Sequence, residues 1–268
     1  MIFRTNYSQR IGFLMVFLMF SNLILAQKQF KVLLITETKG WYHESIESGV
    51  VAINDLAATH NFEVDRQQNA QKITEDKLKN YAAIIFLSTT DDIFDESEKL
   101  AIQKFIHSGK GFVGIHAASD TEYHWEWYTK LVGRMFHIHP SQQTAKLKIL
   151  NHDFPGLESF PNSLLWTDEW YEFGPEKVSG LKYLIAVDEK TYDPKTVWKG
   201  RDTDAKGKPI DRVGNGMGDF HPISWYHEFD GGRSFYTALG HIDNVYKNHW
   251  FLEHLYGGIY YAATGKGL

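Results

Sequence analysis

The sequence contains no cysteine among its 268 residues. This absence excludes disulfide bonds, a thiolate nucleophile, and zinc or iron–sulfur sites that depend on cysteine ligands. It also excludes lipid attachment to a cysteine behind the N-terminal apolar segment. Any chemistry must therefore come from histidines, carboxylates, hydroxyls, aromatic rings or a bound metal.

Basic side chains are outnumbered by acidic ones. The chain has 28 Lys and Arg against 33 Asp and Glu, a net charge of −5, and removal of residues 1–26 leaves 26 against 33, a net charge of −7. Such a surface repels nucleic acid and anionic lipid, so we expect neither as a partner. The 43% of hydrophobic residues suffices for a sizeable core.

The first 26 residues differ from the rest of the chain. Arg4 and Arg10 precede or flank the uncharged run IGFLMVFLMFSNLILA, which ends at Ala26. This pattern is typical of a secretory signal peptide. The alternative, an uncleaved anchor helix, is disfavoured because the 16 residues of the run are fewer than the roughly 20 that span a bilayer. We predict cleavage after Ala26, a secreted or periplasmic location, no membrane segment after cleavage, and a single domain over residues 27–268.

Strand-like and helix-like segments alternate over residues 30–135. Apolar runs such as FKVLLIT and YAAIIFLST predict strands buried on both faces, and the apolar spacing from Ser45 to His60 predicts a helix. Asp95 and Glu98 form a capping box before a further helix, which Gly109 should end. The alternation predicts a doubly wound, mainly parallel sheet with helices on both faces.

The pattern changes beyond Pro140. The segments QTAKLKIL, LKYLIAV, ISWYHEF and RSFYTALG predict strands, so we expect a β-rich C-terminal extension of the same domain. Residues 188–222 are polar and rich in glycine, which predicts a long excursion from the core, and excursions of this length are often functional. A last helix is expected from about His249 to Thr264.

Three histidines follow predicted strands: His43 in GWYHE, His116 in GIHAASD and His241 after SFYTALG. Ligands of doubly wound sheets bind at the carboxyl ends of the strands, so these histidines should lie at one edge. Further candidates are Asp168, Glu169 and Tyr171 of TDEWYEF. A single histidine at such a position is best explained as a structural residue that forms a hydrogen bond. Together, several imidazoles and a carboxylate indicate either acid–base catalysis near neutral pH or a divalent metal site, and the residues leave both open.

The segment FHIHP contains His137 and His139. On an extended segment residues i and i+2 face the same way, as metal ligands often do. Because Pro140 ends the segment at once, a substrate-facing or structural role is favoured over metal ligation.

Aromatic residues are abundant near these histidines, for example Trp41, Tyr42 and Tyr171. Tryptophan and tyrosine are by default core residues. Their rings also stack on the apolar faces of sugars while Asp, Glu and His bind the hydroxyls, which makes a carbohydrate pocket the functional alternative.

Five motifs resemble the ThuA-like family, which is named for trehalose utilisation. They occur in family order and are GWYHE, GKGFVGIHAASD, HDFPGLESFP, DEWYEF and GRSFYTALGH. The resemblance covers residues 30–265 and implies a flavodoxin-like core of the class I glutamine amidotransferase-like superfamily. In the amidotransferases a Gly-x-Cys-x-Gly elbow presents the nucleophile, and the matching run from Gly114 to Ala118 has His116 in its place. Glutamine hydrolysis by a thiolate is therefore excluded.

The resemblance implies work on glucose disaccharides such as trehalose or on their 3-keto derivatives. The positions that carry over are His43, His116, Glu169, Tyr171 and His241, with His249 as a weaker match. Some relatives hold zinc, and the His/Glu set here would permit a zinc-like divalent metal. Residues 188–222 depart from the shorter family members.

Three hypotheses follow. The first is an enzyme that abstracts a proton next to the carbonyl of an oxidised sugar. In that scheme His116 or Glu169 is the base, and His43, His241 or a metal polarises the carbonyl. The second is a non-catalytic carbohydrate-binding protein of the periplasm, and the third is a metal-dependent glycoside or ester hydrolase.

Overall fold

The structure is a computed structural model that describes residues 27–68, 72–174 and 178–267. The predicted signal peptide, residues 1–26, lies outside the described residues, so cleavage after Ala26 stays a prediction. Within the described ranges, no helix combines the length and the apolar character required to cross a membrane.

Fifteen strands form within the described residues. In chain order they are β1 (Lys31–Ile35), β2 (Glu63–Gln67), β3 (Ala83–Leu87), β4 (Thr90–Asp91), β5 (Gly111–Ile115), β6 (Asp120–Thr121), β7 (Phe136–Ile138), β8 (Gln143–Ile149), β9 (Ser163–Asp168), β10 (Glu172–Phe173), β11 (Lys182–Asp188), β12 (Thr196–Thr203), β13 (Pro209–Gly214), β14 (His221–Phe229) and β15 (Gly232–Thr237). The α-helices of the same ranges are α1 (Ile46–His60), α2 (Glu75–Leu78), α3 (Glu96–His107), α4 (Glu126–Val132) and α5 (His249–Thr264).

Nine of the strands form one sheet in the order β2-β1-β3-β5-β15-β14-β11-β8-β9. The first five run parallel, and from β15 onward each strand pairs with its neighbour antiparallel. The predicted α/β fold with a large parallel sheet is confirmed. The predicted β-rich extension is also present, because its antiparallel strands continue the same sheet.

Helices cover both faces of the parallel strands. The Phe112 ring of β5 lies 5.8 Å from the Tyr128 ring of α4. At the preceding position, a Cβ on Gly111 would come within 2.0 Å of the backbone oxygen of Ala262 in α5. Successive strand residues point to opposite faces, so α4 and α5 lie on opposite sides of the sheet. Only glycine allows α5 to approach β5 this closely.

Local signals set the ends of α3 as the sequence predicts. Asp95 Oδ1 accepts hydrogen bonds from the amides of Ser97 and Glu98, and Glu98 Oε2 accepts one from the amide of Asp95. Gly109, just past the helix, has φ 88°. The helix therefore ends where β5 must begin, and β5 carries His116 at its carboxyl end.

The excursion over residues 188–222 is more ordered than the sequence suggests. It contains the hairpin β12–β13, in which Asp202 pairs with Arg212 at 2.6 Å. Arg212 Nη1 also donates to the backbone oxygen of His137 at 2.9 Å, which attaches the hairpin to β7.

Strand β9 was not predicted from the sequence either. Its residues are alternately buried and exposed toward its end, as in an edge strand with one face in solvent.

Candidate active site

Four of the predicted residues meet at the carboxyl ends of the strands. His43 lies in the loop after β1, His116 directly follows β5, Glu169 directly follows β9, and His241 follows β15. Each offers one nitrogen or oxygen atom, and these four atoms lie within 4.8 Å of one another. The structure therefore brings together the three histidines that follow predicted strands and adds Glu169, which follows the unpredicted strand β9.

His116 occupies a strained turn. It is fully buried and has φ 52°, a left-handed conformation that is uncommon for a non-glycine residue. Its Nδ1 donates to the backbone oxygen of Ala238 at 2.8 Å, and its own backbone oxygen accepts from the Tyr236 hydroxyl at 2.8 Å. Because Nδ1 carries the proton in this bond, Nε2 presents a lone pair to the cluster.

The remaining atoms of the cluster face that lone pair. His241 Nδ1 lies 3.0 Å from Glu169 Oε2 and 3.3 Å from His116 Nε2, while His116 Nε2 and Glu169 Oε2 are 3.7 Å apart. Glu169 Oε2 is buried without an aligned hydrogen bond, and so is Nδ1 of His43. Buried polar atoms without partners are costly unless another group completes the site.

The histidines of the cluster differ in their pKa. Burial, aided by His241 and His139, lowers the pKa of His43 to about 3. Burial also lowers the pKa of His116 well below its usual value. For His241 burial acts in the same direction, but Glu169 and Asp168 outweigh it and raise its pKa. His43 and His116 are thus neutral imidazoles near pH 7, which is the form that ligates metals.

A divalent ion fits these residues. Zinc is bound by neutral imidazoles and carboxylates, and a ligating histidine usually donates its other ring N–H to a carbonyl, as His116 does to Ala238. Such an ion would also give Glu169 Oε2, which lacks an aligned hydrogen bond, a well-placed partner. One group competes: the Tyr171 hydroxyl donates to His116 Nε2 at 2.8 Å and would have to release it.

Asp168 holds the loops that carry two of these residues. Its carboxylate is fully buried and accepts hydrogen bonds from the amides of Glu169 (3.0 Å), Gly240 (3.0 Å) and His241 (3.1 Å). Ser45 Oγ donates to the backbone oxygen of Gly240 at 2.9 Å, which ties the same loop to the segment after β1. The cluster is therefore preorganised by groups that do not belong to it.

The cluster lies at a cavity of about 510 Å³. Residues from the strand ends form one side, and the β12–β13 hairpin contributes the other. The lining side chains are Trp41, His43, Asp120, Phe136, His139, Glu169, Tyr171, Trp198, Lys199, Arg201, Arg212 and His241. The volume lies in the range of pockets that enclose small molecules.

With this geometry in view, comparison with known proteins identifies the family. The model of the ThuA family, described as trehalose utilisation, matches residues 31–262. The chain belongs to the ThuA family. No curated protein matches its sequence.

The solved structures that resemble this ThuA chain include two proteins described as ThuA-like. A protein described as ThuA-like from Bacteroides uniformis ATCC 8492 is 22% identical, covers 88% of this chain and 92% of its own, and superposes with a TM-score of 0.70. A second ThuA-like protein, from Parabacteroides merdae ATCC 43184, is 18% identical, covers 90% and 92%, and has a TM-score of 0.65. At these identities the likeness shows the shared fold.

The predicted substrate-binding residues of this ThuA chain divide into two groups. Trp41, Tyr171 and His139 line the cavity, whereas Tyr42 and His137 do not. His137 lies against the hairpin, with Nε2 3.3 Å from the backbone oxygen of Val213. Of the two histidines of FHIHP, only His139 therefore lines the cavity, while His137 contacts the hairpin.

Other predicted positions lie away from the cavity. His249 is exposed at the start of α5, where its ring lies 4.2 Å from that of Trp250. Trp170 and Trp225 are core residues, so most of the aromatic excess serves packing. The aromatic side chains that line the cavity include Trp41 and Trp198.

Several lining residues of the ThuA site were missed from the sequence. Asp120 ends the segment that contains His116, and no periodicity marks it as cavity-facing. Trp198, Lys199, Arg201 and Arg212 belong to the excursion, whose length was the one available signal.

Proposed function

We propose that this ThuA-family protein is a metal-assisted enzyme that removes a proton next to the carbonyl of an oxidised sugar, such as a 3-keto derivative of a glucose disaccharide. The proposal is carried by the cluster of His43, His116, Glu169 and His241, since three of its members, His43, Glu169 and His241, line one cavity. A zinc-like divalent ion held there would act as a Lewis acid and stabilise negative charge on a carbonyl oxygen.

The chain's own residues support a sugar as substrate. The Trp41 side chain is 71% exposed at the cavity, and the Trp198 ring approaches that of His139 at 4.9 Å from the hairpin. Such rings stack on the apolar faces of pyranoses while charged side chains bind the hydroxyls. The description of the family, trehalose utilisation, favours a glucose disaccharide.

The test uses the mature chain, residues 27–268, loaded with zinc. It is incubated with a 3-keto-glucoside in deuterated water, and deuterium at the carbon next to the ketone is measured by NMR. We expect incorporation or product formation that disappears after treatment with a chelator and returns with metal. No exchange and no product from the metal-loaded protein would contradict the proposal.

The same ligand set also supports a second candidate, a metal-dependent glycoside or ester hydrolase, since bound zinc activates water. Hydrolysis of an unoxidised glycoside, with no deuterium entering the sugar, would favour it. Sugar binding without any turnover would instead favour a non-catalytic binding protein.

We also propose that the protein acts outside the cytoplasm, because residues 1–26 have the composition of a signal peptide. N-terminal sequencing of the exported protein should begin at Gln27. A protein that retains residues 1–26 would contradict this.

A further inference from the structure

The proposed function requires a base, and the ion-binding side chains cannot supply it. Once His116 and Glu169 bind an ion, the imidazole has no free lone pair, and the positive charge of the ion makes the Glu169 carboxylate a weaker base. The base must then be another side chain that lines the cavity.

Most of the remaining lining groups are unsuited to this role. Lys199, Arg201 and Arg212 are cations that have no lone pair to offer at neutral pH. Burial raises the pKa of Tyr171 well above its usual value, so its hydroxyl stays protonated. His139 is turned toward its neighbours, with Nδ1 2.7 Å from the backbone oxygen of Pro140 and Nε2 3.5 Å from Glu169 Oε2.

Asp120 differs from all of these. It lies four residues after His116, in β6, and it lines the same cavity. The Tyr123 hydroxyl lies 2.6 Å from Asp120 Oδ1 and 2.8 Å from the backbone oxygen of Phe136. No other hydrogen bond or ion pair reaches the carboxylate from residues 27–68, 72–174 or 178–267, which leaves Oδ2 available to a ligand.

The surroundings of Asp120 favour proton transfer. Burial raises its pKa, while Tyr123, Arg212 and Arg201 act in the opposite direction and Asp91 adds to the rise. A carboxylate whose pKa lies closer to neutrality than usual is a better base than an exposed aspartate.

We infer that Asp120 is the general base of the proposed reaction, with Tyr123 as the residue that positions it. The inference rests on the proposed function and assigns the proton transfer to a residue outside the ion-binding set. Asp120 Oδ2 accepts the proton from the carbon next to the ketone, and the C–H electron pair becomes the new carbon–carbon double bond. The carbonyl π pair moves to the oxygen, and return of the proton, or of a deuteron from solvent, restores the ketone.

The decisive variant is Asp120→Asn, which keeps the size of the side chain and removes its basicity. We expect the rate of deuterium incorporation to fall by roughly 10²- to 10⁴-fold, the usual contribution of a general base. Zinc content measured by mass spectrometry and the Kd of the corresponding unoxidised glucoside measured by calorimetry should change less than about threefold, because Asp120 is not a ligand of the ion. Asp55→Asn, on the exposed face of α1, is the matched control and should behave as wild type.

A second variant, Tyr123→Phe, tests the positioning role. The carboxylate stays but loses its hydroxyl donor, so we expect a fall of about tenfold in the exchange rate, with the Kd of the glucoside unchanged.

Three outcomes would overturn the inference. If Asp120→Asn exchanges deuterium at the wild-type rate, another residue is the base and the proposed function stands. If Asp120→Asn loses zinc or unfolds, Asp120 is a structural or ion-organising residue. If the wild-type protein itself shows no exchange, the proposed function fails and the inference fails with it.

Discussion

The protein has two groups of histidines with different surroundings, one in the core and one at the edge of the sheet. In the core, His227 Nε2 donates to the backbone oxygen of Leu131 at 2.9 Å, and His254 Nε2 lies 3.0 Å from Ser224 Oγ. At the sheet edge, His116 Nε2 faces His241 Nδ1 at 3.3 Å, with the ring of His43 4.7 Å from that of His116. Core histidines thus bond to the scaffold one by one, while those at the edge face one another.

The pKa alone does not separate the groups. Burial lowers the pKa to about 3 both for His43 in the cluster and for His254 in the core. What distinguishes the edge group is mutual orientation around a buried carboxylate, Glu169, whose Oε2 lacks an aligned hydrogen bond. A perturbed pKa therefore points to a site only when geometry agrees.

The largest expected effect comes from removing a member of the edge group. His116→Ala deletes a ligand atom, so we expect zinc affinity, measured by competition with a chelator, to fall by more than about 100-fold and turnover to be lost. His249→Ala, which removes an exposed histidine outside the cluster, is the control and should bind zinc as wild type does. Equal zinc affinity in His116→Ala and wild type would show that His116 belongs with the scaffold histidines.

The second largest effect is expected from Asp168, which holds the loops that carry Glu169 and His241. Asp168→Asn replaces the buried acceptor of three backbone amides with a side chain that has one acceptor oxygen. We expect zinc affinity to fall by roughly 10- to 100-fold, as for other residues that orient ligands. The free energy of unfolding of the variant should also be lower by about 1–3 kcal/mol. Loss of stability with unchanged zinc affinity would mean that Asp168 serves folding alone.

The buried core histidines should affect the pH dependence of the free energy of unfolding, and His254 provides the test. The folded-state pKa of His254 is lowered from 6.5 to about 3, so only the unfolded chain takes up this proton between those values. The stabilising contribution is present above pH 6.5 and is lost as pH falls toward 3, with a slope of at most about 1.4 kcal/mol per pH unit. Urea unfolding of His254→Gln should show a shallower pH dependence than wild type, and identical slopes would contradict the assignment.

The smallest expected effect is an increase in zinc affinity, whereas the changes to His116 and Asp168 should lower it. Tyr171→Phe removes the hydroxyl that competes for His116 Nε2, and one hydrogen bond is worth about 1 kcal/mol. We therefore expect zinc to bind about fivefold more tightly in the variant, while the metal-free protein becomes slightly less stable. Weaker zinc binding, measured by the same chelator competition, would indicate that the hydroxyl supports the ion.

The sequence predicted the fold well because strand and helix periods are local signals. It also predicted the convergence of His43, His116 and His241, since each follows a strand and parallel strands end at one edge. Nothing local could show that Arg212 and Trp198 would return to that edge, because their position depends on how a hairpin docks on β7. The environment of Asp120 was likewise set by tertiary contacts.

The bond between Ser45 Oγ and the backbone oxygen of Gly240 joins loops from opposite ends of the described chain. His43 and His241 lie beside these two residues, so the cluster exists only when the first and last parts of the sheet are both in place. An ion bound there would link these two parts of the chain. At a free concentration 100 times its Kd, it would add about 2.7 kcal/mol to the free energy of unfolding. The free energy of unfolding would then rise with the concentration of free ion and fall when a chelator removes the ion.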